Sequence, residues 1–143
     1  MNAPAVVSET RFRVRYAETD AMGVVYYANY FVWMEVGRTD YCKMAGFSYT
    51  EMERDDGNMA VAEASCRYIA AARYDDEILV ETRVEKLTRR LTTFTYVISN
   101  AATRQTLAEG RTAHLLVTKT GRVKSMPERY FTLLSSANGA NGS

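Results

Sequence analysis

The chain has few of the residues that build metal centres, disulfide frameworks or histidine-based active sites. Its 143 residues include one histidine, His114, and two cysteines, Cys42 and Cys66. Four-ligand Cys/His zinc sites need more ligands than this, and multi-bridge disulfide scaffolds need more cysteines. Both classes are excluded, and we interpret the two cysteines as packing residues. The cysteine and histidine counts thus give no indication of a Cys/His metal centre.

Net charge and long apolar runs are also lacking. The 18 basic and 17 acidic side chains leave a net charge of +1, which gives no indication of general nucleic-acid binding. No run approaches the roughly 18 consecutive apolar residues of a membrane span. The N-terminal segment lacks the basic-then-apolar order of a signal peptide. We therefore predict a cytoplasmic protein that binds neither nucleic acid nor membrane.

The composition is that of a single folded domain. Hydrophobic residues make up 47% of the chain and charged residues 24%, close to the average for globular proteins. A chain of about 150 residues buries roughly 70% of its unfolded surface and can build a core of its own. We predict a domain over 9–135, preceded by a flexible arm over 1–8 and followed by a disordered tail over 136–143.

One long amphipathic helix is predicted between Asn29, a possible N-cap, and Gly46, a possible left-handed C-cap. Its apolar stripe at three- and four-residue spacing consists of Tyr30, Trp33, Met34, Gly37, Tyr41 and Met44. Gly37 costs about 1 kcal/mol against alanine in a helix. We interpret it as a point where the helix closely approaches a flat surface, most simply a sheet.

Strands surround this helix in the sequence. Alternation or β-rich composition predicts strands over 11–16, 59–69, 78–87, 93–99 and 107–118, and a final helix starts at Pro127. Strands joined by short turns pair antiparallel, and the long helix must cover one face of their sheet. The predicted strands and helices do not alternate along the chain, so a Rossmann fold is not predicted. The predicted class is α+β, with an antiparallel sheet of about five strands.

The unusual polar residues lie on the loop before the long helix. Glu18, Thr19 and Asp20 stand beside Gly23, and a helix start follows. Unpaired N–H groups at a helix N-terminus can hold a developing oxyanion. A nearby carboxylate can then act as nucleophile or general base. The alternative is that Asp20 only caps a turn, as aspartate commonly does.

The run ETDAMGVVYYANYFVWMEVGRTDY resembles the signature of the 4-hydroxybenzoyl-CoA thioesterase-like family. In that family a loop aspartate, a D-x-x-G-V-V-Y stretch and an E-x-x-R helix occur together. The order of predicted elements is also similar to the family's hotdog fold, in which an antiparallel sheet wraps around a central helix. The resemblance extends over about 9–135. It implies an acyl-CoA thioesterase with a hotdog fold.

The resemblance implies roles for several residues of the loop. Asp20 matches the family's catalytic aspartate, which attacks the thioester carbonyl or activates water to do so. Gly23 matches the turn that lets the backbone approach the substrate, and Tyr27 the residue whose backbone N–H polarises the carbonyl. Val24 and Tyr26 are implied to bind substrate. A tyrosine rather than a histidine at position 27 favours an aromatic acyl group.

Glu35 is a second candidate for the catalytic carboxylate. Another hotdog branch places a catalytic glutamate on the central helix, whereas in this branch the corresponding acid more often orients neighbours or pairs with a base. Arg38, three residues further along, is within reach of Glu35 on a helix. The resemblance therefore favours Asp20 as the catalytic group and keeps Glu35 as the alternative.

Coenzyme A carries phosphates, so the resemblance also implies basic side chains near the mouth of the pocket. Arg89 and Arg90 follow the strand over 78–87, where relatives place paired basic residues, and a guanidinium can bind two phosphate oxygens. The alternative is an ordinary solvated turn. His114 lies within a strand, where hotdog dehydratases do not place their histidine. We interpret it as structural and expect hydrolysis.

The resemblance implies hydrolysis of an aromatic or short-chain acyl-CoA to a free acid and CoA, with no metal site and no cofactor. A thioesterase acting on acyl groups bound to a carrier protein, and a non-catalytic acyl-CoA binding module, are the alternatives. A single hotdog domain leaves an exposed sheet edge, which is a liability for a lone chain. We therefore expect a homodimer at minimum, and the resemblance implies further association into a homotetramer.

Overall fold

Residues 6–138 are described by a computed structural model of the chain. In chain order the elements are β1 (Ser8–Arg13), a 3-10 turn (Tyr16–Glu18), α1 (Asn29–Ala45), α2 (Tyr49–Arg54), β2 (Asn58–Tyr68), β3 (Glu77–Leu87), β4 (Leu91–Asn100), β5 (Thr106–Val117) and α3 (Glu128–Ala137). Within this range no helix combines the length and the apolar character needed to span a membrane.

The five strands form one antiparallel sheet in the order β1-β3-β4-β5-β2. The long helix α1 lies across one face of this sheet and packs mainly against β1 and β3. The buried side chains of α1 and of the strand faces beneath it form a single core, with Trp33, Tyr41, Phe94 and Tyr96 among its largest members. The predicted α+β hotdog fold is confirmed.

Gly37 lies where α1 comes closest to the sheet, as its sequence position predicts. A Cβ atom at this residue would lie 2.5 Å from Thr82 Oγ1 and 2.9 Å from Val80 Cγ1, both on β3. Real Cβ contacts are not this short, so only glycine allows the helix to pack at this distance. Glycine is therefore used here for packing rather than for its backbone freedom.

The two ends of α1 differ in how well they match the predicted caps. Gly46 has a left-handed φ of 118° and donates its N–H to Cys42 and Lys43, so the predicted C-cap is confirmed. The predicted N-cap is wrong by one residue, because Ala28 occupies that position and Asn29 begins the helix. The Asn29 side chain is turned back towards the preceding loop instead. At the other end, Met44 is 44% exposed and lies outside the buried stripe.

Several boundaries differ from the predicted ones. β1 covers Ser8–Arg13 rather than 11–16, so ordered structure begins within the predicted arm. α3 continues to Ala137, two residues into the predicted tail. The rest of the arm and tail, residues 1–5 and 139–143, lies outside the described range. α2 was not predicted, although Ser48 caps it by accepting a hydrogen bond from the Glu51 N–H.

β2 is an edge strand that is exposed over most of its length. Its pairing with β5 contains a bulge. Val61 pairs with His114, but Glu63, two residues further along β2, pairs with Ala113, which is only one residue away from His114 on β5. Directly paired residues of antiparallel strands share a face. Val61 therefore lies on the side of the buried His114, facing the helix layer, yet it is 53% exposed. α1 does not cover this part of the sheet.

Candidate active site

A cavity of about 370 Å³ opens where the loop before α1 meets the end of β2. Its lining comes from the loop, from the first turn of α1 and from the segment that follows β2: Asp20, Val24, Val25, Tyr27, Tyr30, Tyr68, Ile69, Ala70 and Ala71. The walls are thus mainly aromatic and apolar, and Asp20 is the one acidic group among them. A mostly apolar pocket with few polar groups is typical of small-molecule sites.

Asp20 is held in a tight turn. Its N–H donates to the Val24 carbonyl at 2.9 Å, and its own carbonyl accepts from the Gly23 N–H at 3.0 Å. Gly23 has a φ of +78°, a conformation that glycine adopts without strain. The carboxylate Oδ1 accepts the Met22 N–H at 2.8 Å. Among residues 6–138 the other oxygen, Oδ2, accepts no hydrogen bond, so it is available to a substrate or a water.

Tyr27 lies two residues before the start of α1. Its carbonyl accepts from the Tyr30 N–H at 3.3 Å and from the Tyr68 hydroxyl at 2.9 Å. The N–H groups of Tyr27 and Ala28 donate to no acceptor within the described part of the chain. Free N–H groups at the positive end of a helix dipole can stabilise negative charge. Tyr27 and Asp20 therefore bring complementary chemistry to one cavity.

Three tyrosines form the aromatic wall of the cavity. The Tyr68 ring meets the Tyr30 ring edge-on at 5.1 Å and the Tyr27 ring at 6.3 Å between centroids. Burial raises the pKa of Tyr30 and of Tyr68, so both hydroxyls are neutral donors at ordinary pH. Tyr30 was predicted only as a core residue, and Tyr68 only as part of a strand.

Of the two loop residues implied to bind substrate, Val24 and Tyr26, one lines this cavity. Val24 borders it and forms an isolated antiparallel bridge with Arg73. Tyr26 is 47% exposed and is not part of the lining; its ring packs on the Tyr27 ring at 4.7 Å.

Glu35 faces a different cavity, of about 190 Å³, between α1, α2 and the start of β2. Arg38 lines the same cavity but is 9% exposed, whereas Glu35 is exposed. No ion pair within residues 6–138 joins the two. The predicted contact between Glu35 and Arg38 is therefore not formed. Because Glu35 lines this second cavity, a single chain does not bring it to the cavity of Asp20.

Arg89 and Arg90 lie at the far end of the sheet from Asp20. The Asp20 loop is anchored near the beginning of β3, where Val24 bridges to Arg73. β3 then runs for 11 residues before the turn that carries the two arginines. At about 3.3 Å per residue this strand is about 35 Å long. One chain alone therefore does not place these arginines at the mouth of its own cavity.

The two arginines also differ in their contacts. Arg89 forms an ion pair with Glu128 at 2.7 Å and lies over the Phe131 ring at 3.9 Å from its centroid. Arg90 is exposed and forms no ion pair within the described residues. Of the pair, Arg90 has the guanidinium that is free to meet a phosphate.

A family model described as the thioesterase superfamily matches residues 22–107, more than half of the chain. The chain belongs to the thioesterase superfamily. Over 113 residues it is 39% identical to YneP of Bacillus subtilis, covering 79% of this chain and 81% of the relative. The acyl-CoA thioesterase YbgC of Haemophilus influenzae is 38% identical over 52% of this chain and 56% of its own length.

The solved structures agree with this assignment. A DHNA-CoA thioesterase from Staphylococcus aureus superposes with a TM-score of 0.85 at 33% identity, covering 94% of this chain and 90% of that one. The resemblance seen in the signature around Asp20 is thus confirmed at the level of the family. By its membership of this family, the chain is a thioester hydrolase.

The histidine and the two cysteines of this thioesterase are not part of the lining of the Asp20 cavity. His114 is fully buried, its Nε2 is 2.8 Å from Thr112 Oγ1, and burial lowers its pKa to about 4. Burial raises the pKa of the Cys42 thiol to about 12 and also raises that of Cys66. Neither thiol is ionised at neutral pH, which fits a packing role.

Proposed function

We propose that this thioesterase hydrolyses acyl-CoA thioesters at the cavity of Asp20. The observation that supports this best is the meeting of a carboxylate that has one free oxygen with the free Tyr27 N–H in one mostly apolar cavity. The acyl group would occupy the aromatic wall, with its carbonyl near the start of α1. Asp20 would then face the carbonyl carbon or a water beside it.

Two routes use these groups. In the first, Asp20 attacks the thioester carbon, the C–S bond breaks, CoA leaves as a thiolate, and water hydrolyses the resulting mixed anhydride. In the second, Asp20 takes a proton from water, the water oxygen attacks the same carbon, and the tetrahedral intermediate expels the thiolate, which then takes up a proton. Both routes place negative charge on the former carbonyl oxygen, where the Tyr27 N–H would stabilise it.

An aromatic or short acyl group fits the size and lining of the cavity. Its volume of about 370 Å³ lies at the lower end of the range for small-molecule pockets. Aromatic acyl groups would find edge-on partners in Tyr27, Tyr30 and Tyr68. The DHNA-CoA thioesterase among the related structures and the relative YbgC also act, by their names, on CoA thioesters.

A homodimer that pairs two β2 edges, and associates further into a tetramer, would complete the site. Leu91 at the start of β4 pairs with Leu115, which pairs with Ala60 near the start of β2, so the Arg90 turn lies at that end of the edge strand. Tyr68 lies at the opposite end. Antiparallel pairing of two copies would set the Arg90 turn of one chain towards the Asp20 cavity of the other, within reach of CoA phosphates.

The test of the function is the variant Asp20→Asn, assayed with a panel of benzoyl-, naphthoyl- and butyryl-CoA by release of free thiol. Loss of the nucleophile or base should lower kcat by about 10²–10⁴-fold without unfolding the protein. Asp75→Asn is the matched control, because Asp75 is exposed and its left-handed φ of 67° suits asparagine. Near-wild-type turnover of Asp20→Asn would refute the role of Asp20.

The same panel separates the alternatives. If wild-type protein binds acyl-CoA without releasing thiol, it is a binding module and the proposal fails. If acyl groups on a carrier protein are hydrolysed much faster than the same groups on CoA, the substrate is the carrier-bound thioester. Hydrolysis of CoA thioesters that free CoA inhibits supports the proposal.

A further inference from the structure

Glu18 is a buried carboxylate two residues before Asp20. It is 6% exposed, and both of its oxygens accept hydrogen bonds. Oε1 accepts the Arg15 N–H at 2.8 Å, and Oε2 accepts the Trp33 Nε1–H at 2.8 Å. Burying a carboxylate is costly unless such partners compensate it. Glu18 does not line the cavity, so contact with a substrate does not explain why a carboxylate is buried at this position.

The backbone carbonyl of Glu18 makes two more connections. It accepts the Tyr26 N–H and the Asn29 side-chain N–H, each at 2.9 Å. Together with the carboxylate contacts, this one residue joins the segment after β1, the close of the loop and two successive turns of α1. Trp33, its most distant partner, is 2% exposed and packs against the Tyr30 ring of the cavity at 4.8 Å between centroids.

The position of Asp20 depends on these connections. The hydrogen bonds among Asp20, Gly23 and Val24 fix the shape of the turn but not its place relative to α1. That place is set on one side by Val25, whose N–H donates to the Ala72 carbonyl at 2.9 Å, and on the other by Glu18. The Glu18 side reaches Asn29 and Trp33 of α1, directly after the N–H donors of Tyr27 and Ala28.

We propose that Glu18 is a positioning residue that holds the Asp20 carboxylate at the correct distance from the start of α1, acting through Trp33. The inference rests on the proposed role of Asp20. A glutamine at position 18 has one oxygen to accept a hydrogen bond, and its NH₂ group would oppose a second N–H donor. Glu18→Gln therefore loses one of the two hydrogen bonds, and the ion pair of Oε1 with Arg15 Nε at 3.6 Å, with almost no change of shape.

The test compares Glu18→Gln, Trp33→Phe and the double variant with wild type, using kcat and KM for the best acyl-CoA substrate. A misplacement of about 1 Å can cost 10²-fold, so we expect kcat to fall roughly 10- to 100-fold while KM changes less than about 2-fold. If Glu18 acts through Trp33, the double variant should lose no more than the worse single variant. Glu9→Gln, an exposed glutamate on β1, is the matched control.

Activity is expressed per folded protein, measured by thermal unfolding at the assay concentration. A merely structural Glu18 would lower the unfolding temperature and leave kcat unchanged, which would overturn the inference. Multiplying losses in the double variant would also overturn it, because Glu18 would not act through Trp33.

The two proposals fail in different ways. If Asp20→Asn is inactive and Glu18→Gln keeps its full kcat, only the positioning role is refuted. If Asp20→Asn is active, the proposed function is refuted whatever Glu18→Gln does.

Discussion

Replacing Gly37 with alanine tests how closely α1 packs on the sheet. Two effects oppose each other at this position. Alanine favours a helix over glycine by about 1 kcal/mol. The new methyl group would however lie 2.5 Å from Thr82 Oγ1 and 2.9 Å from Val80 Cγ1. Both side chains are β-branched, fully buried and part of β3, so neither can move aside easily.

The steric effect should exceed the gain in helix propensity. Overpacking of a core typically costs 1–3 kcal/mol, and two contacts shorter than 3 Å indicate the upper part of that range. Subtracting the helical gain leaves a net loss of about 2 kcal/mol in the free energy of unfolding. For a chain of this size that corresponds to a fall of roughly 6 °C in Tm.

Urea denaturation at fixed protein concentration measures this loss. The matched variant is Gly37→Ala combined with Thr82→Ala, which removes the nearer of the two contacted atoms. The Thr82 hydroxyl is buried without a hydrogen-bond partner in the described residues, so its removal alone should cost little. The double variant should therefore recover part of the loss. A Gly37→Ala protein as stable as wild type would refute the close packing.

Two further predictions concern the edge of the sheet and the buried histidine. Val61→Lys should shift a homodimer towards monomer in sedimentation velocity at micromolar concentration, whereas Val123→Lys, at a similarly exposed valine, should not; a monomeric wild type would contradict the dimer. The folded pKa of His114, about 4, lies below the ordinary 6.5. Between these two pH values the unfolded chain therefore binds more protons than the folded one, so protonation of His114 should lower the free energy of unfolding by about 3 kcal/mol as pH falls from 6.5 to 4. The free energy of unfolding of His114→Gln should fall less over this range, and parallel curves of stability against pH for the two proteins would contradict this.

The sequence carries enough information to predict features that depend on local geometry. Gly37 and Gly46 mark a close approach and a helix end, and each follows from one residue in a periodic pattern. Ser48 and Glu51 also have the spacing of a capping box, which is a local signal that predicts the start of α2. Asp20 and Tyr27 stand close together in the chain, so their motif brings both to one cavity.

Features that depend on register between distant segments could not be predicted. Tyr68 reaches the site through the pairing of β2 with β5, and its hydrogen bond to Tyr27 spans 41 residues. The bulge beside Val61 has no local sequence signal. Arg38 lies on the buried face of α1, although a charged residue is normally assigned to a solvated face. The separation of the Arg90 turn from Asp20 likewise follows from strand direction.

The cavity is built from two segments, the Asp20 loop and the stretch that follows β2, which are joined by the Val25–Ala72 hydrogen bond and the Val24–Arg73 bridge. Within the loop, Asp20 itself is held by hydrogen bonds to Met22, Gly23 and Val24. Ile69 and Ala70 both donate their backbone N–H groups to the Leu107 carbonyl, at 2.8 and 3.1 Å, and supply only side-chain surface to the opposite wall. Substitutions at these two positions should therefore reshape this wall of the cavity and leave the Asp20 carboxylate and the Tyr27 N–H where they are, so that under the proposed function the substrate range can diverge without loss of hydrolysis.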